Sequence, residues 1–98
     1  MDFNYSVENT SVKCNILGRI DTNTAPVLEG ELSKLWDTYS VFELNFSDVD
    51  YISFVGLRVL LKLYKSVSPR NGSVTLKNVT DMVRSVLDET GFSDLYNM

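Results

Sequence analysis

Few residues in this chain have the side-chain chemistry for catalysis. There is no histidine, so histidine-based triads, histidine metal sites and phosphohistidine relays are excluded. The single cysteine, Cys14, alternates with Val12 and Ile16 and reads as a small buried hydrophobe. A lone cysteine forms no internal disulfide, which is consistent with a reducing compartment. Asp21, Asp48 and Asp50 are the carboxylates whose placement could hold a hard cation or exchange protons. Asp48 and Asp50 alternate at a strand end and Asp21 follows another strand, and in parallel sheets those ends come together. Aspartates in such positions also serve simply as turn formers. Neither a phosphate-cradling glycine loop nor a nucleophile–base pair accompanies them.

Ser53 is the remaining candidate. It stands where a helix N-cap belongs, with its hydroxyl placed to accept from a backbone N–H one turn on, and capping alone accounts for it. The alternative is a phosphorylation acceptor, whose added charge the helix dipole would tolerate. The surrounding stretch, Asp48-Val49-Asp50-Tyr51-Ile52-Ser53-Phe54-Val55-Gly56-Leu57-Arg58, reads as a strand end, a tight polar turn and a helix start. Unpaired N–H groups at such a start suit a phosphate or a partner's polar group. The tip side chains are Phe54 and Val55, which accept no phosphoryl group, so the turn is built for contact rather than chemistry. Phe54 either tucks into the core as a staple-like contact or protrudes as an anchor for a partner. Gly56 either admits a partner's backbone or lets the helix start pack on the sheet.

The elements that must position this turn follow from periodicity. Phe3, Tyr5 and Val7 alternate, as do Val12, Cys14 and Ile16, with Glu8-Asn9-Thr10 between them as a hairpin turn. Asp21 to Thr24 is a turn and N-cap cluster, Pro26 suits a first helical turn, and Ala25, Leu28, Leu32, Leu35 and Tyr39 recur at helical spacing. Gly30 weakens that helix and marks either close packing or an exposed face. Val41 to Phe46 is a third strand. A second helix from Ser53 carries Leu57, Leu60, Leu61 and Tyr64 inward and ends by Ser68-Pro69. Ser73 to Lys77 is a fourth strand, and Thr80 caps a last helix with Val83, Val86 and Leu87 inward and Gly91 as its stop. Strands separated by helices imply parallel neighbours through right-handed crossovers, and the opening hairpin adds an antiparallel element.

The 98 residues suit one domain, 1–98, and the net charge of -4 argues against nonspecific nucleic-acid binding. Charge is uneven: no acidic residue lies between Asp50 and Asp81, a span holding Arg58, Lys62, Lys65, Arg70 and Lys77. Arg58, Lys62 and Lys65 share one helix face, either a solvated surface or a docking surface for an acidic partner or anionic lipid headgroups. No signal-peptide pattern opens the chain and no apolar run reaches spanning length, so a cytoplasmic module that is not embedded in a membrane is expected.

The chain resembles a STAS domain, the module of bacterial anti-sigma factor antagonists. The resemblance rests on Leu17-Gly18-Arg19-Ile20-Asp21 with Thr24-Ala25-Pro26, on Leu44 through Ser53, on Gly56-Leu57-Arg58-Val59-Leu60-Leu61, and on Asn78-Val79 through Thr90-Gly91-Phe92. It implies a mixed, mostly parallel sheet with an N-terminal antiparallel hairpin and helices packed mainly on one face. It implies a non-enzymatic protein-binding function without a cofactor, directed at an anti-sigma factor that is also a serine kinase. In the family, phosphorylation of a Ser or Thr in the turn before the second helix ends binding. Aligned on Gly56-Leu57, that acceptor position falls on Val55, preceded by Phe54. The usual switch is therefore expected to be absent, with Ser53 as the alternative acceptor. The implied binding surface is Asp21, Thr22, Asn23, Thr24, Ser53, Phe54, Val55, Gly56, Leu57, Arg58 and Lys62. The same resemblance allows a second role, as a STAS subunit supporting the ATPase of a lipid-transport ABC complex or as part of a stress-signalling scaffold.

Overall fold

In the computed structural model, which describes all 98 residues, the order is β1 (Asp2–Glu8), β2 (Ser11–Leu17), α1 (Ala25–Trp36), β3 (Val41–Asp48), α2 (Phe54–Val67), β4 (Ser73–Lys77) and α3 (Asp81–Thr90). A 3-10 turn, Ser68–Arg70, closes α2, and another, Phe92–Leu95, follows α3. The sheet order is β1-β2-β3-β4. β1 and β2 pair antiparallel, whereas β2–β3 and β3–β4 pair parallel, as crossover helices require. Asn9, in the left-handed region at φ 58, makes the tight hairpin turn between β1 and β2.

One face of the sheet is buried. Val12, Cys14 and Ile16 of β2, Phe42, Leu44 and Phe46 of β3, and Val74 and Leu76 of β4 point to it. Leu28 and Leu32 of α1, Leu60 and Leu63 of α2, and Val83 and Leu87 of α3 join them in one apolar cluster. The core contains no buried polar or charged residue. The Cys14 thiol sits within it, and loss of solvation pushes its pKa up to about 12, so it stays a protonated, inert packing group. The opposite face carries a row of amides across the strands. Asn78 Nδ2 donates to Asn45 Oδ1 (3.1 Å), Asn45 Nδ2 to Asn15 Oδ1 (3.0 Å) and Asn15 Nδ2 to Asn4 Oδ1 (3.0 Å).

The structure adjusts several local expectations. α1 ends at Trp36, and Tyr39 lies beyond it, its N–H bonded to the Leu35 carbonyl at 2.9 Å. Arg70 closes that helix end, donating to the carbonyls of Trp36, Asp37 (3.4 Å) and Tyr39 (3.1 Å); it is committed to the fold rather than to a docking face. In α2 the inward stripe is Leu57, Val59, Leu60, Leu63 and Val67, while Leu61 and Tyr64 are only half-buried. Val86 of α3 is likewise half-buried. Thr80 holds the N-cap position of α3, but its hydroxyl makes no capping bond; it donates to the Val49 carbonyl (2.8 Å), and so anchors α3 to the loop after β3. Gly91 ends α3 at φ 79, as expected of a helix stop.

Candidate functional site

The loops leaving β2 and β3 lie side by side at the C-terminal edge of the parallel strands. Backbone bonds join them: Gly18 N–H to the Asp48 carbonyl (3.0 Å), Ile20 N–H to Tyr51 (3.0 Å) and Ser53 N–H to Ile20 (2.8 Å). Ile20 and Ile52 thereby form a parallel bridge beyond the named strands. Residues 18–24 and 49–53 thus form one joined platform, from which α1 and α2 both start.

Within the first loop, Asp21 organises the backbone. Its Oδ1 accepts from the N–H groups of Asn23 and Thr24, both at 2.9 Å. The Thr24 hydroxyl accepts from the Asp21 N–H (2.8 Å) and donates to the Arg19 carbonyl (2.6 Å). Chiefly the Thr24 N–H, then that of Asn23 and the Arg19 guanidinium, hold the Asp21 carboxyl below its ordinary pKa of 3.8. Arg19 reaches Asp21 at 3.9 Å and stacks over the Tyr51 ring, 4.4 Å from its centroid, which ties the two loops together through side chains as well. Thr22 and Asn23 are exposed at the tip of this loop.

In the second loop, Ser53 is the N-cap of α2, its Oγ accepting from the Gly56 N–H at 3.2 Å. Phe54, the first helical residue, protrudes with 80% of its surface exposed, so it is not tucked into the core as a staple. Val55 is half-buried and packs against the core. Gly56 and Leu57 are buried and face inward, beneath the tip. A Cβ on Gly56 would stand 2.6 Å from Ile20 Cγ2 and 2.8 Å from Ile52 Cγ1, so close packing of α2 on the platform explains the glycine. Beside Phe54 a shallow groove of about 210 Å³ runs toward α3, lined by Tyr51, Ile52, Ser53, Val86, Glu89 and Thr90. Met82, one helical turn before Val86, is also exposed.

Arg58 is exposed on the next turn and makes no ion pair, as is Lys65 two turns on. Lys62, expected on the same face, is exposed there and pairs with Glu29 of α1 at 3.1 Å. The carboxylates do not form a cation site: no three His, Cys, Asp or Glu side chains converge anywhere in the fold. Asp48 and Asp50 are exposed, and Asp21 is spent on its own turn.

The structure thus brings together the Asp21–Thr24 loop and the Ser53–Val55 tip, adds Arg19, Tyr51, Met82, Val86 and Glu89, and pairs the exposed Lys62 with Glu29. Arg19 and Tyr51 carried no periodic signal in the sequence. Met82 and Glu89 fall on the outer face of an amphipathic helix, indistinguishable there from ordinary surface.

Comparison with known proteins agrees with this architecture. The family model described as STAS domain matches residues 6–98. The chain is 30% identical over 100 residues to the anti-sigma-B factor antagonist of Bacillus subtilis (strain 168), an alignment covering all of this chain and 92% of that protein. Among solved structures, it superposes on a putative anti-sigma factor antagonist from Thermotoga maritima with a TM-score of 0.89 at 22% identity, covering 97% of this chain and 83% of that one. The unphosphorylated form of the anti-sigma factor antagonist SpoIIAA gives a TM-score of 0.85 at 16% identity, covering 97% and 85%. With a family model spanning nearly its whole length and a fold of the same order, this chain belongs to the STAS domain family.

Proposed function

We propose that this protein is a non-enzymatic anti-sigma factor antagonist, acting in the cytoplasm by binding an anti-sigma factor that is also a serine kinase, and that it does so without a phosphorylation switch. The observation that carries this reading is the tip of α2. Phe54 stands clear of the surface on a platform held by paired loops, while the neighbouring Val55 has no hydroxyl and the Ser53 hydroxyl is engaged as a cap. An exposed aromatic on a rigid base, beside a shallow groove, is the arrangement of an interface anchor, because little ordering entropy is lost on docking. The free cation of Arg58 on the following turn suits an acidic rim on the partner. Turnover chemistry has no support in the fold. There is no converging acid, thiol or imidazole cluster, and the core is filled by side chains.

The test is the intact mass of the protein after incubation with ATP and each anti-sigma kinase of the same cell. The mass stays unchanged while a stoichiometric complex forms. A gain of one phosphoryl group that disappears in Ser53→Ala overturns the switchless part of the reading. Purification from the native cell in complex with an ABC ATPase and permease, and with no anti-sigma factor, overturns the partner.

A further inference from the structure

The two outer edges of the sheet are treated differently. At the β4 edge the chain returns and closes it: the Leu76 N–H donates to the Asn97 carbonyl (2.7 Å) and the Asn97 N–H to Val74 (3.0 Å). At the other edge β1 pairs only with β2, from Asp2↔Leu17 to Glu8↔Ser11, and its outer row of N–H and C=O groups meets no strand. Proteins blunt such edges with charged side chains, proline, bulges or short strands. β1 has only the charges of Asp2 and Glu8, one at each end, and none of the others. It is seven residues long, its register is unbroken, and it contains no proline and no basic residue. Tyr5 and Val7, on the same side as the core residues Cys14 and Val12 that they oppose, are 49% and 42% exposed.

The sequence of β1 is also palindromic in character about Tyr5. Phe3 matches Val7, Asn4 matches Ser6, and Asp2 matches Glu8. A two-fold axis demands that symmetry, because an isologous contact sets each residue against its mirror position. We infer that β1 is a self-association edge, at which two copies of this chain pair antiparallel about Tyr5 and join two four-stranded sheets into one of eight. In that register Tyr5 faces its own counterpart, and Phe3 faces the second copy's Val7 on the helix side of the sheet. Asn4 faces the second copy's Ser6 on the open side, where the amide row ending at Asn4 is extended by another hydrogen-bonding side chain. Asp2 facing the second copy's Glu8 is repulsive. One strand pair also buries less than the roughly 1,200 Å² typical of stable interfaces, so the association is weak and concentration-dependent. The proposal is independent of the α2 tip, which lies at the ends of the strands rather than at their side.

Sedimentation of the full chain from about 10 µM to about 1 mM follows this directly, the range in which dissociation constants of micromolar to millimolar order are read. The weight-average mass rises toward the dimer, and rises further in about 0.5 M salt, which screens Asp2 from Glu8. Tyr5→Lys stays monomeric at every concentration with its circular dichroism unchanged, whereas Phe54→Ala, which removes the docking anchor, associates like the parent. In a Cys14→Ala background, Tyr5→Cys forms a covalent dimer on mild oxidation, because directly opposed strand residues stand about 4.5–5.5 Å apart, within disulfide reach. The exposed control Lys65→Cys does not. A chain that remains monomeric throughout, a dimer that persists in Tyr5→Lys, or equal cross-linking through position 65 overturns the inference.

Discussion

At the scale of single residues, Gly56 decides whether the tip of α2 is held at all. With Ile20 Cγ2 and Ile52 Cγ1 both closer than any Cβ tolerates, Gly56→Ala must move either the helix or the loop pair beneath it. Such overpacking costs about 1–3 kcal/mol, read as a lower denaturation midpoint, and the displaced tip weakens partner binding beyond that loss. Asp21 makes a different kind of contribution. Its folded pKa lies below the ordinary 3.8, so its stabilisation is fully present above that value and disappears as the pH falls through the lower folded one. Stability followed by urea titration from neutral to strongly acidic pH therefore declines across that window, and Asp21→Asn has a flatter acid limb. The identities of these residues were legible in the sequence, but their roles only in part. The capping position of Ser53 followed from its type and place before a helix. The choice between packing and partner approach at Gly56 needed the distance to Ile20, a residue 36 positions away in the chain that no local pattern places there.

At the scale of elements, hydrophobic period recovered the four strands and three α-helices, because each has one apolar face, even in β1, which is exposed apart from Phe3. It was less reliable about where helices stop and which residues lead inward. Tyr39 fits the α1 spacing yet lies outside the helix, although its N–H still reaches the Leu35 carbonyl, and Arg70 donates to carbonyls beyond the helix end. In α2, Leu61 and Val59 are both apolar, and the inward choice of Val59 depends on how α1 and the sheet together enclose the helix. The basic face was read from spacing alone, and spacing could not foresee that Glu29 on α1 would claim Lys62. Gly30 is the element-scale opportunity. It lies mid-helix in α1 with open space where a Cβ would stand. Gly30→Ala is therefore expected to stabilise the domain by about 1 kcal/mol, the difference in helix propensity, measured as a raised denaturant midpoint with binding unchanged.

At the scale of the molecule, the two faces and the strand-end edge of the sheet have separate uses. One face is spent on the core. The other carries the amide row, and the edge where β2 and β3 end carries the loop platform with Phe54. The architecture and the family were legible because the motif residues at the two loops are also the residues that zip the platform, so a resemblance in sequence is a resemblance in geometry. The groove beside Phe54 was not, because it is formed between the start of α2 and α3, which only the fold brings together. The claim on which this account stands is that an exposed aromatic, with no phosphorylatable neighbour at the usual position, grips a protein partner. Calorimetric titration of an anti-sigma kinase from the same cell with the parent and Phe54→Ala proteins tests it most directly. A one-to-one complex is expected, with a dissociation constant that rises by at least about tenfold in the variant, as loss of an aromatic anchor does, and with the melting temperature unchanged. Equal affinity of the two proteins, or weakened binding accompanied by a matching loss of thermal stability, contradicts it.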